Sequence, residues 1–264
     1  MKYSDVNIDA AIELVKQTKH YFENHEMASH IEVKGPADFV TDTDLNIQTY
    51  LCENLKSLYP DIQFWGEEKD HETIDYSGTF WILDPVDGTT NLIHHYNHSA
   101  VSLALGCDGN VLAGITYCPF SDELFTAYRG CGAYLNGSPI RVSEASALED
   151  SLIAVGTNPY EREDAEHTFE VIKNVFMRCQ DVRRSGSAAL DLAYVACGRA
   201  EAFFEMNLKP WDYAAGMLLV EEAGGSVCTY SGQTLPLDRP SNVLATNGRV
   251  NDGLIIYLSA KSGL

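Results

Sequence analysis

The segment that most constrains this chain is an apolar run that ends in two acids and a glycine. Residues 80–83, Phe-Trp-Ile-Leu, form a continuous apolar run of the length of a strand covered on both faces. Pro85 cannot donate to a strand ladder, so we expect the strand to end at Asp84. The Asp-Gly pair at 87–88 favours a turn, and residues 89–91, Thr-Thr-Asn, are typical of a helix start. This order predicts two carboxylates and several unpaired N–H groups in one small volume.

The chemistry of that volume depends on how two nearby carboxylates are kept ionised. Asp84 and Asp87 repel each other unless a cation lies between them. A carboxylate cluster without His or Cys favours a hard ion such as Mg²⁺, and N–H groups at a helix start favour a phosphate. Cation and phosphate together indicate phosphoryl chemistry. Taken alone, however, the D-x-x-D-G pattern is more typical of a loop whose aspartates shape a turn and cap a helix.

Three other segments place acids where a strand ends or a helix begins. Glu67 and Glu68 follow the strand-like residues 62–65. Asp44 lies at the start of a helical pattern, and Asp212 lies in the first turn of another. Acids at four such positions favour a metal site over an isolated acidic turn.

Two motifs connect these positions to a known family. The chain reads W-I-L-D-P-V-D-G-T-T-N at residues 81–91 and W-D-Y-A-A-G at residues 211–216. Both motifs, in this order, closely resemble those of the inositol monophosphatase family of Mg²⁺-dependent, lithium-sensitive phosphatases. The resemblance extends over nearly the whole chain and includes E-E-A-G-G at residues 221–225.

The resemblance implies a fold of the α+β/α/β class, a layered α-β-α-β-α sandwich of the inositol monophosphatase or sugar phosphatase type. It implies a single catalytic unit over residues 1–264 with two lobes. The lobe at 1–150 would carry the metal and phosphate site on the larger antiparallel sheet. The α/β lobe at 151–264 would supply Asp212 and the substrate contacts. A homodimer is implied by the family alone.

The resemblance also implies a set of metal ligands for two or three Mg²⁺ ions. The implied ligands are Glu67, Asp84, the Val86 carbonyl, Asp87 and Asp212. Asp84 would bridge two ions. Without the motifs, Asp84 would be interpreted as a turn aspartate and Asp212 as a helix cap. Glu68 should point away from Glu67 if the chain is extended there, which favours a solvated or structural acid.

Catalytic and phosphate-binding roles follow from the same resemblance. The Thr89 hydroxyl, paired with Asp44, would orient the attacking water, and Glu67 would act through the metal that activates this water. The backbone N–H groups of Gly88, Thr89 and Thr90 would bind phosphate. Direct attack by water requires no covalent intermediate.

Substrate contacts are implied at five positions, and they leave the substrate open. The positions are Asp87, Gly186, Ser187, Ala188 and Glu205. They favour myo-inositol 1-phosphate, which would be hydrolysed to inositol and phosphate. Relatives with the same core hydrolyse fructose 1,6-bisphosphate, 3′-phosphoadenosine nucleotides or the 2′-phosphate of NADP. A hypothesis of another class is a protein-binding role in transcription complexes, with catalysis secondary.

Several other polar residues have plain structural interpretations. His94 and His98 lie one helical turn apart and His95 lies between them, but a hard-metal site does not need imidazoles. Lys34 and the pair at 183–184, Arg-Arg, could meet an anionic substrate, and solvated or ion-paired roles are equally compatible with the sequence.

Charge and cysteine content limit the classes of partner. The formal net charge is −20, from 38 acids and 18 Lys plus Arg, which argues against a nucleic-acid surface. Bound metal ions would reverse this charge locally for a phosphate ester. The seven cysteines form no C-x-x-C pair, so we expect reduced thiols in the cytoplasm. We find no signal-peptide pattern and no run of membrane-span length, and we therefore expect no membrane partner.

Periodicity and turn residues predict the remaining elements. Ser4 or Asp5 should cap a first helix, and residues 34–38 should form a mobile loop. A second helix should begin within residues 41–44 and end before Pro60. Further strands and helices are expected at 62–65, 80–84, 100–106, 111–117, 124–128, 133–140, 152–156, 164–178, 188–197, 201–205, 211–223, 243–246 and 252–260.

Overall fold

The structure, a computed structural model, describes residues 6–68 and 73–258. Within these residues no helix combines the length and the apolar composition needed to cross a membrane. The predicted caps Ser4 and Asp5 lie outside the described residues. The first described helix instead follows Asn7 and begins at Ile8.

The helices of the described residues fall into an N-terminal group and a C-terminal group. They are α1 (Ile8–Gln17), α2 (Lys19–Phe22), α3 (His25–Ser29), α4 (Asp42–Leu58), α5 (Thr89–Ile93), α6 (Ala165–Phe176), α7 (Ala188–Ala196), α8 (Pro210–Glu222) and α9 (Asn251–Leu258).

The strands lie mostly between residues 63 and 139 and again after residue 152. They are β1 (Ile31–Gly35), β2 (Asp38–Thr41), β3 (Gln63–Gly66), β4 (Thr79–Asp87), β5 (Ala100–Cys107), β6 (Asn110–Cys118), β7 (Glu123–Tyr128), β8 (Gly132–Leu135), β9 (Ser138–Pro139), β10 (Leu152–Val155), β11 (Asp181–Arg183), β12 (Ala202–Leu208), β13 (Ser226–Thr229) and β14 (Ser241–Thr246).

Strands β3 to β9 form a seven-stranded sheet in which each strand pairs with the next in the chain. Only the β3–β4 pair is parallel, and the pairs from β4 to β9 are antiparallel. The expected hairpin between 100–106 and 111–117 is confirmed as β5–β6. The β-rich segment predicted at 133–140 contains two short strands, β8 and β9, which are divided by a turn at Asn136 and Gly137, both at positive φ.

A five-stranded sheet has the order β11-β10-β12-β14-β13. Strand β10 is parallel to both of its neighbours, and β12, β14 and β13 are mutually antiparallel. The sequence prediction missed β11 and β13. Both are short and only partly buried, so they lack a strong apolar signal.

Helices α7 and α8 lie between the two sheets. Helix α8 contacts β5 and β6 on one side and β13 and β14 on the other. A side chain at Gly114 of β6 would lie 2.6 Å from the carbonyl oxygen of Ala215, so this glycine permits the close approach of α8. Since α8 contacts a sheet on either side, it is buried almost all round from Tyr213 to Val220.

The remaining helices cover the outer sheet faces. Helices α1 and α4 pack on the seven-stranded sheet through a core that includes Val15, Leu51 and Trp81. Helices α6 and α9 pack on the five-stranded sheet around Val175, Leu254 and neighbouring apolar residues. The layers alternate helix, sheet, helix, sheet, helix, which confirms the predicted α-β-α-β-α sandwich.

One segment of the N-terminal region differs from the prediction. Residues 34–38, expected as a mobile loop, belong to the β1–β2 hairpin, whose turn lies at Pro36 and Ala37. Helix α4 begins after Thr41, as expected. The Thr41 side chain and the Asp44 carboxylate cap each other's backbone N–H groups there.

Candidate active site

Strand β4 carries two of the predicted acids on an irregular end. The expectation that Pro85 ends the ladder is wrong, because pairing with β5 resumes at Asp87 opposite Ala100. The register shifts between Asp84 and Asp87, so the segment containing Pro85 forms a bulge. The Val86 N–H donates to Asp84 Oδ1 at 2.9 Å. Gly88 then adopts φ 94° and begins α5.

Glu67 and Glu68 follow β3, where the Glu67 N–H donates to the Leu83 carbonyl at 3.0 Å. The chain bends at Glu67 and Glu68, so the extended geometry under which Glu68 would point away from Glu67 is not present. Lys34 Nζ lies 3.0 Å from Glu68 Oε1 and 3.4 Å from Glu67 Oε1, so one ammonium contacts both carboxylates. The side chain of Gln48 hydrogen-bonds the backbone of Glu68 and fixes the direction of the chain here.

Asp212 reaches the same region from the layer between the sheets. Its Oδ2 accepts a hydrogen bond from the Lys209 N–H at 2.7 Å, which places it at the start of α8. Ser102 of β5 donates to the Trp211 carbonyl at 3.1 Å and ties this helix start to the seven-stranded sheet. The helix-cap interpretation of Asp212 is therefore correct, but it is compatible with a further role.

Electrostatic repulsion shows that these acids converge. Burial raises the pKa of Asp84 well above its usual value, and the charges of Glu67, Asp87 and Asp212 raise it further. Burial likewise raises the pKa of Glu67 to about 7 and that of Asp87 to about 6. The pKa of Asp212 is raised by burial and then by Glu67 and Asp87. Four carboxylates from three separate segments therefore share one volume of low polarity.

This donor set fits a hard divalent cation in its chemistry. The groups are oxygen donors, of which Asp84 and Asp87 are buried and Glu67 and Asp212 are half-buried. As they stand, no three Asp, Glu, His or Cys side chains in the described part of the chain are arranged to hold an ion. The charge of Glu67 raises the pKa of Asp84, so a cation bound between them would relieve the repulsion between these two carboxylates.

Asp44 and Thr89 meet beside the acids. The Thr89 hydroxyl lies 2.9 Å from Asp44 Oδ1 and 3.1 Å from the Val86 carbonyl oxygen. Asp44 Oδ2 accepts hydrogen bonds from the Thr41 N–H at 2.9 Å and from the Thr41 hydroxyl. Burial raises the pKa of Asp44 to about 6 despite these bonds. The carboxylate can therefore take up a proton near neutral pH.

The segment that precedes α7 contacts Asp87. The Ser187 hydroxyl donates to Asp87 Oδ2 at 2.5 Å, and the Ala189 N–H donates to the same oxygen at 2.7 Å. Gly186 has φ 92°, and a side chain there would overlap the Arg184 guanidinium. The structure thus places residues 186–188 next to Asp87, and the Ser187 side chain is used to orient that carboxylate.

Glu205 lies in β12 beside the segment that follows β10. Its Oε1 accepts a hydrogen bond from the Asn158 N–H at 3.0 Å, and a side chain at Gly156 would overlap the Glu205 carboxyl group. Burial raises the pKa of Glu205 to about 7. The charge of Asp87 raises this pKa further, so the two acids face one site.

The arginine and histidine residues considered from the sequence make contacts other than those expected of substrate or metal ligands. Arg183 Nη1 pairs with Asp181 at 2.5 Å, which confirms an ion-paired role, and Arg184 Nε donates to the Thr157 hydroxyl at 3.2 Å. The helical spacing inferred for His94 and His98 is wrong, because α5 ends at Ile93. His95 has positive φ in the turn that follows.

Sequence reasoning missed two contributors to the site. They are the Ala189 N–H on Asp87 and the segment containing Asn158 on Glu205. Every residue except proline has a backbone N–H, so the sequence does not indicate which of these groups makes a contact at the site. The Asn-Pro pair at 158–159 does indicate a turn, and it was the one available signal.

The fold and the acids together define a class: layered α/β proteins with an oxygen-donor site suited to hard divalent ions. The sequence profile described as the inositol monophosphatase family matches residues 2–263. The chain belongs to this family.

Named relatives fall into two groups. The chain is 42% identical to Nus factor SuhB of Xylella fastidiosa over 78% of this chain and 74% of that protein. It is 40% identical to inositol monophosphatase 2 of Solanum lycopersicum over 98% of both chains. Among solved structures, it superposes on the SuhB protein of Bartonella henselae with a TM-score of 0.90 and 35% identity, over 97% of this chain and 99% of that one. An IMPase from Thermotoga maritima gives a TM-score of 0.87 and 33% identity, over 96% of both chains.

Proposed function

We propose that this chain is a Mg²⁺-dependent phosphatase of small phosphate monoesters, with myo-inositol 1-phosphate as the first candidate substrate. The observation that supports the proposal is the mutual repulsion of Glu67, Asp84, Asp87 and Asp212, of which Asp84 and Asp87 are buried and the other two half-buried. Family membership and the match to a plant inositol monophosphatase support the same reaction class.

Glu67, Asp84, Asp87, Asp212 and the Val86 carbonyl would hold two or three Mg²⁺ ions. When bound, the ions supply Lewis acidity that lowers the pKa of a coordinated water and offset the negative charge of the leaving oxygen. The role of the protein is to present these oxygens on rigid elements. Ser187 and the Ala189 N–H hold Asp87 in place, and the backbone hydrogen bond from Lys209 holds Asp212.

Asp44 and Thr89 would manage the proton of the attacking water. The Thr89 hydroxyl donates to Asp44 Oδ1, so its oxygen lone pairs are free to orient and deprotonate a water. The proton would pass through the hydroxyl to Asp44, whose pKa near 6 suits this transfer at neutral pH. Water would attack phosphorus directly, so no phosphorylated side chain forms.

The phosphate would bind at the start of α5. The backbone N–H groups of Gly88, Thr89 and Thr90 lie in the first turn of this helix, where N–H groups lack intrahelical partners. The alcohol part of the ester would lie toward Asp87, residues 186–188 and Glu205. Carboxylates there accept hydrogen bonds from hydroxyl groups, which favours a polyol.

A substrate panel tests this proposal. We expect Mg²⁺-dependent phosphate release from inositol 1-phosphate to exceed that from NADP, fructose 1,6-bisphosphate and 3′-phosphoadenosine phosphate. EDTA should abolish release, Mg²⁺ should restore it and lithium should inhibit it. Asp84→Asn should abolish turnover without unfolding the protein. Activity of this variant within a few-fold of wild type would exclude Asp84 from the mechanism. Preference of the wild-type protein for another ester would change the proposed substrate but not the proposed reaction.

A second candidate is a protein-binding role, with catalysis secondary. It is supported by several matches of about 40% identity to proteins named Nus factor SuhB. The two candidates differ in one measurement. A purified protein that releases phosphate from none of the esters in the panel would favour the protein-binding role, and turnover at ordinary enzymatic rates would favour the phosphatase.

A further inference from the structure

The side chain of Asn91 joins three segments of the chain. Asn91 is the last residue of the motif at 81–91 and lies in α5, directly after the residues that would bind phosphate. Its Nδ2 donates to the His98 carbonyl at 2.7 Å and to the Ser185 carbonyl at 3.0 Å. Both acceptors are carbonyl oxygens, so the amide nitrogen faces them and each of its two N–H bonds has a partner. One side chain therefore holds α5 to the segment before β5 and to the segment before α7.

Two glycines let these segments approach closely. A side chain at Gly88 would lie 3.1 Å from the Gly186 carbonyl oxygen and 3.2 Å from the His98 carbonyl oxygen. A side chain at Gly186 would in turn lie 3.0 Å from the amide group of Asn91. The Ser99 hydroxyl also donates to the Gly88 carbonyl at 2.9 Å. The turn at Gly88 and the segment that contains Gly186 are thus in direct contact.

A second link between the same regions lies slightly further along the chain. The Ser187 hydroxyl and the Ala189 N–H both donate to Asp87, so the start of α7 is held independently of Asn91. Asn91 acts two residues before Ser187, on the Ser185 carbonyl. Loss of its hydrogen bonds should therefore loosen residues 185–186 locally and leave Asp87 in place. No reaction step described above uses the Asn91 side chain.

We propose that Asn91 is a positioning residue that fixes the alcohol-contact residues, which begin at Gly186, relative to the helix start that would hold the phosphate. The inference rests on the proposed phosphatase function. A polyol phosphate makes contacts at both ends, so its hydroxyl groups meet their partners only when the two segments keep a fixed distance. An aryl phosphate without hydroxyl groups depends on the phosphate end alone. The substrate class that gains from Asn91 is therefore a phosphate ester of a polyol.

The experiment compares Asn91→Leu with wild type on inositol 1-phosphate and on para-nitrophenyl phosphate. Leucine has nearly the size of asparagine but donates no hydrogen bond. We expect KM for inositol 1-phosphate to rise by about three- to tenfold, the usual effect of losing a hydrogen bond, while kcat stays within about twofold. Both constants for para-nitrophenyl phosphate should also stay within about twofold. Asn54→Leu is the matched control, since Asn54 is also half-buried and its Nδ2 donates to the Tyr50 carbonyl within α4 at 2.8 Å.

Amide hydrogen exchange provides a second measurement that does not depend on turnover. The Ser187 N–H donates to Ser185 Oγ at 3.3 Å, so it should exchange faster in Asn91→Leu once residue 185 loosens. The Ala189 N–H donates to Asp87 at 2.7 Å and should exchange at the wild-type rate. A general loss of stability would instead accelerate exchange at both positions.

The outcomes separate this inference from the proposed function. An equal rise in KM for both esters, or no rise for either, would overturn the positioning role and leave the phosphatase intact. If the wild-type protein hydrolyses neither ester, the proposed function fails and the exchange rates decide. Faster exchange at Ser187 alone would then support Asn91 as the tie between the segments, and unchanged exchange would overturn it.

A smaller substitution covers the case in which Asn91→Leu does not fold. Asn91→Ser keeps one hydroxyl donor in less volume, and it is measured in the same way. We expect a smaller rise in KM that is again confined to inositol 1-phosphate. A rise of the same size for para-nitrophenyl phosphate would overturn the positioning role.

Discussion

Thr89 Oγ1 lies 2.9 Å from Asp44 Oδ1, although 45 positions separate the two residues in the chain. The contact joins the start of α4 to the start of α5. The other oxygen of Asp44 is held by the backbone and hydroxyl of Thr41, so Oδ1 is directed at Thr89. Two helix starts therefore share one carboxylate, which caps the first helix and contacts the hydroxyl of the second.

This contact predicts a large effect of a small substitution at Thr89. Thr89→Ala should lower kcat by about 10²- to 10⁴-fold, the usual contribution of a positioned proton-transfer group. KM should change little, because the backbone N–H at this position remains. Thr89→Ser retains the hydroxyl and should recover most of the activity. If the serine variant were as inactive as the alanine variant, the hydroxyl would not be the functional group.

Glu67 and Glu68 form a matched pair for testing the metal site, since both contact the Lys34 ammonium. Glu67→Gln should weaken Mg²⁺ binding in calorimetry and lower kcat/KM by about 100-fold or more, a loss typical of removing one electrostatic group from a reaction centre. Glu68→Gln should lower both quantities by no more than about tenfold, the lower end of the usual cost of substituting a residue next to a metal ligand. Equal losses in the two variants would contradict the assignment of Glu67 as the ligand.

The pKa shifts predict how the stability of the metal-free protein depends on pH. Folding raises the pKa of Asp44 and Asp87 to about 6 and that of Glu67 and Glu205 to about 7. These acids therefore bind more protons in the folded than in the unfolded protein between about pH 4 and 7, so their contribution to stability is lost as pH rises through that window.

In EDTA we therefore expect Tm to be lower at pH 7.5 than at pH 5.5. Mg²⁺ should raise Tm more at the higher pH, because the ionised carboxylates bind it. Asp84→Asn removes one of the repelling charges and should raise the metal-free Tm at pH 7.5 while it abolishes turnover. A metal-free Tm that rises steadily from pH 5.5 to 7.5 would contradict this account.

Glu205 has two contacts to lose on substitution. Glu205→Ala should raise KM for inositol 1-phosphate more than KM for a small aryl phosphate, because the proposed hydroxyl contact exists only in the former. It should also loosen residues 156–161, since the Asn158 N–H loses its acceptor. Faster amide hydrogen exchange at Asn158 would report this second effect. An equal rise in KM for both esters would argue against a contact to the ring hydroxyls.

The packing of α8 on β6 predicts a stability effect far from the chemistry. Gly114→Ala would place a methyl group 2.6 Å from the Ala215 carbonyl and should lower the free energy of unfolding by about 1–3 kcal/mol. Gly35→Ala is the control, because its nearest neighbour would lie at an ordinary contact distance of 3.7 Å. Urea denaturation measures both. No change for Gly114→Ala would mean that α8 can shift away from the sheet without cost.

Much of the fold could be predicted because its apolar periodicity is strong. Helix α4 and the β5–β6 hairpin carry apolar patterns with clear turn or cap residues at their ends, and α8 was predicted from its Pro-Trp-Asp start. The short strands β11 and β13 could not be predicted, because three or four half-buried residues are too few to show the alternation of apolar and polar residues that marks a strand. The residues of the acidic cluster were identified through two motifs, and their convergence depends on contacts that no single segment encodes.

The misjudged positions at the site share a cause: each depends on a partner distant in sequence. Glu68 was expected to point away from Glu67, but Lys34, more than thirty positions earlier, draws both carboxylates toward one ammonium. The segment that contains Asn158 carries no motif, and its hydrogen bond to Glu205 of β12 joins residues more than forty positions apart. Local propensity cannot report such contacts.

The bulge at Pro85 has a consequence for how this strand can change. Residues three apart in a regular strand project from opposite faces of the sheet, so an unbroken β4 would send Asp84 and Asp87 to different layers of the sandwich. Asp84 and Asp87 are three residues apart in β4, while their partners Ser102 and Ala100 are two apart in β5, so the one extra residue of the bulge brings both acids to the same face. The bulge therefore directs both carboxylates toward the volume in which we propose that Mg²⁺ binds, and a regular strand of the same length would lose this arrangement.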